Sequence, residues 1–183
     1  NYLSSNPTVF FAHGNTLFFT AINNTTQGNE FWKTDGTDSG TVLVKDIYAG
    51  AGSSNPNNYC SVGSLIFFTA HNGINGVELW RSDGTEAGTF LVKDIRSGGA
   101  SSSPTKLTNY NGKLLFAADN GTNGQELWIS DGSDSGTVMV KDIRTGSASA
   151  TIADLVVYGN KAYFTANDGT YGSELWVSDG SDT

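Results

Sequence analysis

The chain lacks most of what a disulfide, a membrane-spanning helix or a nucleic-acid surface would need. Cys60 is its single cysteine in 183 residues, which excludes a disulfide framework and a thiolate zinc site. The expected role of that thiol is a small apolar filler at the foot of a strand. No apolar run approaches the ~20 residues that cross a bilayer as a helix, so membrane insertion is not expected. No window keeps apolar residues at i, i+3, i+4 and i+7, so helices are not expected either. Basic residues are few: 10 Lys and Arg stand against 18 Asp and Glu, and the net charge of −8 repels a phosphate backbone. The acidity suits a solvated extracellular surface or weak cation association. The start, Asn1-Tyr2-Leu3-Ser4-Ser5, has no signal-peptide pattern, as in a mature exported product or an excised piece.

What the chain does have is glycine, 23 residues, and repetition. Trp32, Trp80, Trp128 and Trp176 are spaced 48 residues apart, and Asp35, Asp83, Asp131 and Asp179 keep the same step. One supersecondary unit is therefore copied head to tail, and such units are stable only when stacked on neighbours. The approximate repeats are 1–55, 56–103, 104–151 and 152–183, together one repeat domain.

The third copy reads most clearly. A short alternating run, 105–110, precedes Asn111-Gly112, the dipeptide of a type I′ hairpin. The apolar run 113–118 follows, then turn residues around Asn120-Gly121 and Gly124, then 126–130. A third turn, Asp131 to Gly136, leads into 137–143. Four short strands joined by tight turns make an antiparallel meander, apolar on both faces, that must be covered by its neighbours. An all-β fold is expected: a β-propeller of four-stranded antiparallel blades of about 48 residues, as a four-bladed ring or an arc of a larger propeller. The last copy stops at Thr183, before its outer strand. Either the chain is a slice of a longer array, or another chain completes that blade by strand addition.

The third turn also suggests a register. Pairing Thr34 with Thr41 sets Trp32 opposite Leu43 and Glu30 opposite Lys45. The same spacing sets Glu78 opposite Lys93 and Glu126 opposite Lys141, and an ion pair is expected at each.

Glu78-Leu79-Trp80-Arg81-Ser82-Asp83-Gly84-Thr85 resembles the ELWxxDGT signature of bacterial tandem-repeat proteins, and Gly88 to Ile95 continues it. Phe31 to Thr37, Leu127 to Ser133 and Leu175 to Ser181 are similar, so the likeness covers essentially the whole chain. It implies a repeat segment of an exported or cell-surface bacterial protein, and it transfers no catalytic residues. The Ser-Asp-Gly-Thr turn is also loosely similar to the Asp-box hairpins of sialidase-like propellers, which implies a structural carboxylate. Asp35, Asp83, Asp131 and Asp179 are accordingly expected to cap their own turns.

An enzyme would need a constellation that occurs once. His13 and His71 stand beside turns in different repeats, and no nucleophile elbow, phosphate loop or dinucleotide fingerprint is present. A sialidase-like site needs an arginine cluster, whereas only Arg81, Arg96 and Arg144 occur. The chain is therefore expected not to be an enzyme, and the repeating Trp is expected in the core between blades. Asp119 to Glu126 has oxygens at alternating positions but lacks EF-hand spacing and the closing acid. No metal or cofactor is expected, with Ca²⁺ kept as an alternative for these loops. Variable residues gather on one rim: Tyr48, Arg96 and Arg144 from the connections, Asn75, Asn123 and Tyr171 from the hairpin tips. These are the candidate ligand-binding residues, for a glycan or a protein loop. The expected function is a non-catalytic binding, adhesion or assembly module, with other copies or neighbouring repeats as partners. A lectin using the rim is the first alternative, and a sialidase-like glycoside hydrolase the second.

Overall fold

The computed structural model describes residues 4–23 and 27–181, and among them every regular element is a strand. The first sheet holds β1 (Thr8–His13), β2 (Thr16–Asn23), β3 (Gln27–Thr34) and β4 (Val42–Lys45). The second holds β5 (Asn57–Val62), β6 (Leu65–His71), β7 (Val77–Ser82) and β8 (Phe90–Lys93). The third holds β9 (Thr105–Tyr110), β10 (Lys113–Asp119), β11 (Gln125–Ser130) and β12 (Val138–Lys141). The fourth has β13 (Ala153–Tyr158), β14 (Lys161–Asn167) and β15 (Ser173–Ser178). Each is an antiparallel meander in chain order, so the fold is all-β with one sheet per repeat. At the β9–β10 hairpin both Asn111 (φ 49°) and Gly112 (φ 81°) have positive φ, as a type I′ turn requires.

Successive sheets meet face to face. Strand β1 abuts β5, β5 abuts β9, and β9 abuts β13, so the first strands of the meanders lie together. The second strands are largely apolar in their interiors because alternate residues face opposite neighbours. Phe67 belongs to the core between the second and third sheets, and Phe68 to the core between the first and second. The third strands work the same way: Leu79 faces the third sheet, while Trp80 faces the first. Trp128 and Trp80 are buried between sheets, and Trp176 packs half-buried against the third sheet's core. Between the first two sheets the filling is largely aromatic, with the Phe31 and Phe68 rings 4.7 Å apart; offset stacking of this kind adds about 1 kcal/mol beyond area burial. Cys60 is half-buried against the second core, and burial pushes its thiol pKa up.

The outward face of the fourth sheet is uncovered. Leu175 is 76% and Val177 53% exposed, whereas their counterparts Leu127 and Ile129 are 1% and 8% exposed beneath the fourth sheet. A closed four-sheet ring would cover Leu175 with the first sheet, so the described residues form an open row.

The outer hairpin departs from the register the spacing suggests. Trp32 does face Leu43, but Lys45 faces Phe31, not Glu30, because Val44 forms a bulge. The same shift sets Lys93 opposite Leu79 and Lys141 opposite Leu127. The expected Glu30–Lys45, Glu78–Lys93 and Glu126–Lys141 pairs therefore do not form. The reason is packing: a bulge inserts one residue, and here it drives Val44, Val92 and Val140, each 3–4% exposed, into the cores between sheets. Lys45 and Lys93 instead reach the next sheet's third turn. Lys93 Nζ donates to the Asp134 carbonyl at 3.1 Å and lies 3.4 Å from its carboxylate.

Candidate functional surfaces

The three glutamates freed from lysine are fully buried and serve a different purpose. Glu30 accepts the Ile47 amide at 2.8 Å, the Ser54 amide at 2.8 Å and the Ser54 hydroxyl at 2.5 Å. Glu78 repeats this with the Ile95 amide at 3.1 Å, the Ser102 amide at 2.7 Å and the Ser102 hydroxyl. Each carboxylate thus ties the third strand of its sheet to both ends of the connection leading to the next sheet. Buried backbone amides need acceptors, and a carboxylate serves several at once. Burial is the largest influence on these acids and holds Glu30 above its ordinary pKa and Glu78 up to about 7. The nearby Asp94 charge adds to the rise at Glu78, against the lowering effect of the hydrogen bonds.

Glu126 is likewise raised to about 7 by burial, against amide hydrogen bonds that lower it. It keeps the Ile143 amide at 2.8 Å, but Ala150 stands where the other repeats have serine. Ala150 accepts the Asn167 amide as Ser102 accepts that of Asp119, but its own amide donates to the Gln125 carbonyl, which leaves Glu126 Oε1 buried without a partner. Ala150→Ser is therefore expected to raise stability by about 1 kcal/mol through a charge-assisted hydrogen bond. Chemical denaturation checks this; an unchanged or lowered midpoint would mean the hydroxyl does not reach Glu126.

Asp83 Oδ1 accepts the Thr85 amide at 2.9 Å and its hydroxyl at 2.6 Å. Asp35, Asp131 and Asp179 make the same pair of bonds with Thr37, Ser133 and Ser181. The hydroxyl bond, then the amide bond, hold these carboxyls below the usual range. Gly88 closes the loop over this carboxylate, and a Cβ there would sit 2.0 Å from Asp83 Oδ1.

Most of the candidate rim residues are engaged with the scaffold. Arg96 Nη1 donates to Asp119 Oδ2 at 2.7 Å and the side chain lies across Gly121. Arg144 lies across Gly169 in the same way and donates to the Ser149 carbonyl at 3.4 Å. Tyr48 lies across Gly73 and packs on His71, ring centroids 5.3 Å apart. One repeat position thus clamps each sheet to the next sheet's hairpin. Asn75 and Asn123 donate to Asp94 and Asp142 of their own sheets at 2.9 and 2.8 Å. Tyr171, 77% exposed, stands apart from these clamps.

Sequence reasoning missed both the clamp and the buried glutamates. The signal for each lay in comparing repeats: Tyr48 stands with His71 where the next repeats have Arg96 with Asp119 and Arg144 with Asn167, and Ser54 and Ser102 recur 24 residues after Glu30 and Glu78.

In the loop weighed for Ca²⁺, Asp119 Oδ1 accepts the Gly121 amide, and Asn120 Oδ1 accepts the amides of Thr122 and Asn123. Asp119 Oδ2 takes Arg96, so these oxygens turn to their own loop and a neighbouring guanidinium. Among the described residues no group of three or more His, Cys, Asp and Glu side chains could hold a metal. His13 Nδ1 lies 2.8 Å from the Ser61 hydroxyl, and His71 Nδ1 accepts the Gly73 amide.

These features define an all-β, propeller-like chain of stacked meanders. No protein-family model and no curated protein matches it. Among solved structures it is similar to the S511A mutant of puromycin hydrolase complexed with PGG, with TM-score 0.59 and 16% identity over 90% of this chain and 25% of that one. A prolyl endopeptidase structure matches with TM-score 0.47 and 14% identity over 90% and 25% of the two chains. The chain spans about a quarter of the length of these proteins. At 16% identity the likeness to puromycin hydrolase speaks to fold alone, and supports a propeller-like all-β architecture.

Proposed function

We propose that this chain is a non-catalytic β-propeller module, four blades in an open arc, that serves binding and assembly in an exported or cell-surface bacterial protein. The observation that carries this reading is the match between its two ends. The outward face of the first sheet carries a half-buried Trp32 beside Phe19 and Ala21, which are 8% and 3% exposed, at the positions that Trp80, Phe68 and Ala70 occupy in an internal interface. The outward face of the fourth offers Leu175 and Val177, at the positions of Leu127 and Ile129. Each end is half of an interface that the chain builds repeatedly inside itself. Its natural cover is a further repeat or another copy, joined head to tail.

The titratable side chains in the repeats serve as scaffold: glutamates hold connections, aspartates hold turns and arginines hold neighbouring hairpins. This supports a module over a hydrolase. Sedimentation velocity over a range of concentrations is expected to show reversible association that Leu175→Lys abolishes. A strictly monomeric protein, or glycoside turnover abolished by one acidic substitution, would overturn the proposal.

A further inference from the structure

Asparagine followed by glycine is the dipeptide most open to loss of its side-chain amide, because glycine has no side chain to shield its nitrogen from the asparagine Cγ. The chain has five such pairs, beginning at Asn72, Asn75, Asn111, Asn120 and Asn123. The fold treats them unequally. Four lie in the β6–β7 and β10–β11 hairpins, where their side chains are tied down. Asn72 Oδ1 accepts the amides of Ile74 and Asn75 at 2.9 and 2.8 Å, and its Nδ2 donates to Asn75 Oδ1 at 2.8 Å. Asn120 does the same with Thr122 and Asn123. Asn75 and Asn123 each donate to an aspartate of their own sheet. The glycines after them are buried against the backbone of the connections at Ala100 and Ala148.

Asn111 differs on each count. It is exposed, no described residue bonds its side chain, and nothing stands within 4 Å of the place a Cβ on Gly112 would take. The Gly112 amide makes a long bond to Asn109 Oδ1 at 3.4 Å, whereas the Gly73 and Gly121 amides are held at 3.1 and 2.6 Å. The equivalent turns of the other sheets begin with Gly14, Gly63 and Gly159, at φ 57°, 60° and 60°. Only the third sheet puts asparagine before glycine at this turn.

We propose that Asn111 is a site of spontaneous deamidation, converted by water to aspartate and isoaspartate through a succinimide shared with Gly112. The Gly112 nitrogen gives its proton to hydroxide and attacks Asn111 Cγ. The N–Cγ bond forms, the Cγ–Nδ2 bond breaks, and Nδ2 takes a proton from water and leaves as ammonia. A second water opens the ring at either carbonyl. The nitrogen reaches Cγ once this exposed hairpin tip opens locally, while the other four pairs must first lose side-chain hydrogen bonds. The isoaspartate product adds a methylene to the backbone of a two-residue turn that requires positive φ at both residues. The residues before that turn tie the third sheet to both neighbours. Asn109 Nδ2 donates to the Ser61 carbonyl at 3.1 Å, and the Tyr110 hydroxyl donates to the Asn160 carbonyl at 2.6 Å. Modification of one turn thus loosens contacts with two sheets.

The site is independent of the assembly reading. The test holds the protein at mildly alkaline pH, folded and in guanidinium, and follows the amide-to-acid mass gain of each Asn-Gly peptide. In guanidinium all five pairs are expected to convert at comparable rates. In the folded protein Asn111 is expected to convert about tenfold or more faster than any of the other four. Asn111→Gly, which installs the residue of the three sister turns, is expected to remove the fast conversion and keep the fold. The isoaspartyl form, separated by chromatography, is expected to unfold at a lower urea concentration than the parent. Equal rates at the five pairs in the folded protein, no conversion at Asn111, or a fast conversion that survives Asn111→Gly overturns the site. An isoaspartyl form as stable as the parent overturns its effect on the sheet contacts.

Discussion

Glu78→Ala is expected to lower the unfolding free energy by about 4 kcal/mol, near the upper end of what a single substitution does. The side chain is fully buried and accepts the Ile95 amide, the Ser102 amide and the Ser102 hydroxyl. Alanine would leave all three donors buried without a partner, at about 1–3 kcal/mol each before local relaxation. Glu78→Gln keeps one oxygen acceptor and is expected to cost markedly less. Glu174→Ala, at the same repeat position but exposed, is expected to stay within about 0.5 kcal/mol of the parent. Urea denaturation of the three variants checks this. Equal losses at positions 78 and 174 would show that the buried bonds are not what stabilises the connection.

Stability is also expected to fall as pH rises from about 5 to 8, the reverse of the usual trend for carboxylates. Burial above all holds Glu78 and Glu126 up to about 7, against 4.5 for an ordinary glutamate. A folded state that keeps a proton at higher pH than the unfolded chain gains its full benefit below the unfolded pKa. That benefit is lost between about pH 4.5 and 7 and does not return above it. At 1.36 kcal/mol per pKa unit, each carboxyl contributes about 3 kcal/mol to this decline. The turn aspartates have the opposite sign: their pKa values are lowered, so their contribution is present above the ordinary 3.8 and lost as pH falls below it. Maximum stability is therefore expected near pH 4–5. Denaturation at fixed ionic strength across pH 4–8 measures the slope, and Glu78→Gln is expected to flatten it. A stability that climbs from pH 5 to 8 would mean that the amide donors outweigh burial and keep these glutamates ionised.

The glutamates show how far the repeat can be read as a sequence. Spacing placed Glu78 on a strand across a tight turn from Lys93, and opposite charges in that geometry invite pairing. The missing element was the bulge at Val92, which shifts the partner strand by one residue and turns Lys93 toward Asp134 of the next sheet. A bulge of this kind is selected by the space between sheets, which no single meander contains. The scaffold contacts of the rim residues were out of reach for the same cause. Arg96 is variable and polar, as a binding residue would be, yet its partner Asp119 lies one repeat away and meets it only when the sheets stack.

The period, the four-strand unit, the turn positions and the apolar character of both faces can be read within one repeat. These are local consequences of glycine and asparagine at positive φ and of side-chain alternation within one repeat. Which carboxylates are buried, which rim residues are clamps and which sheet face is uncovered emerge when the sheets stack. Those outcomes depend on what the neighbouring sheet presents. Burial and hydrogen-bond partners belong to the interface between two repeats and cannot be assigned within one.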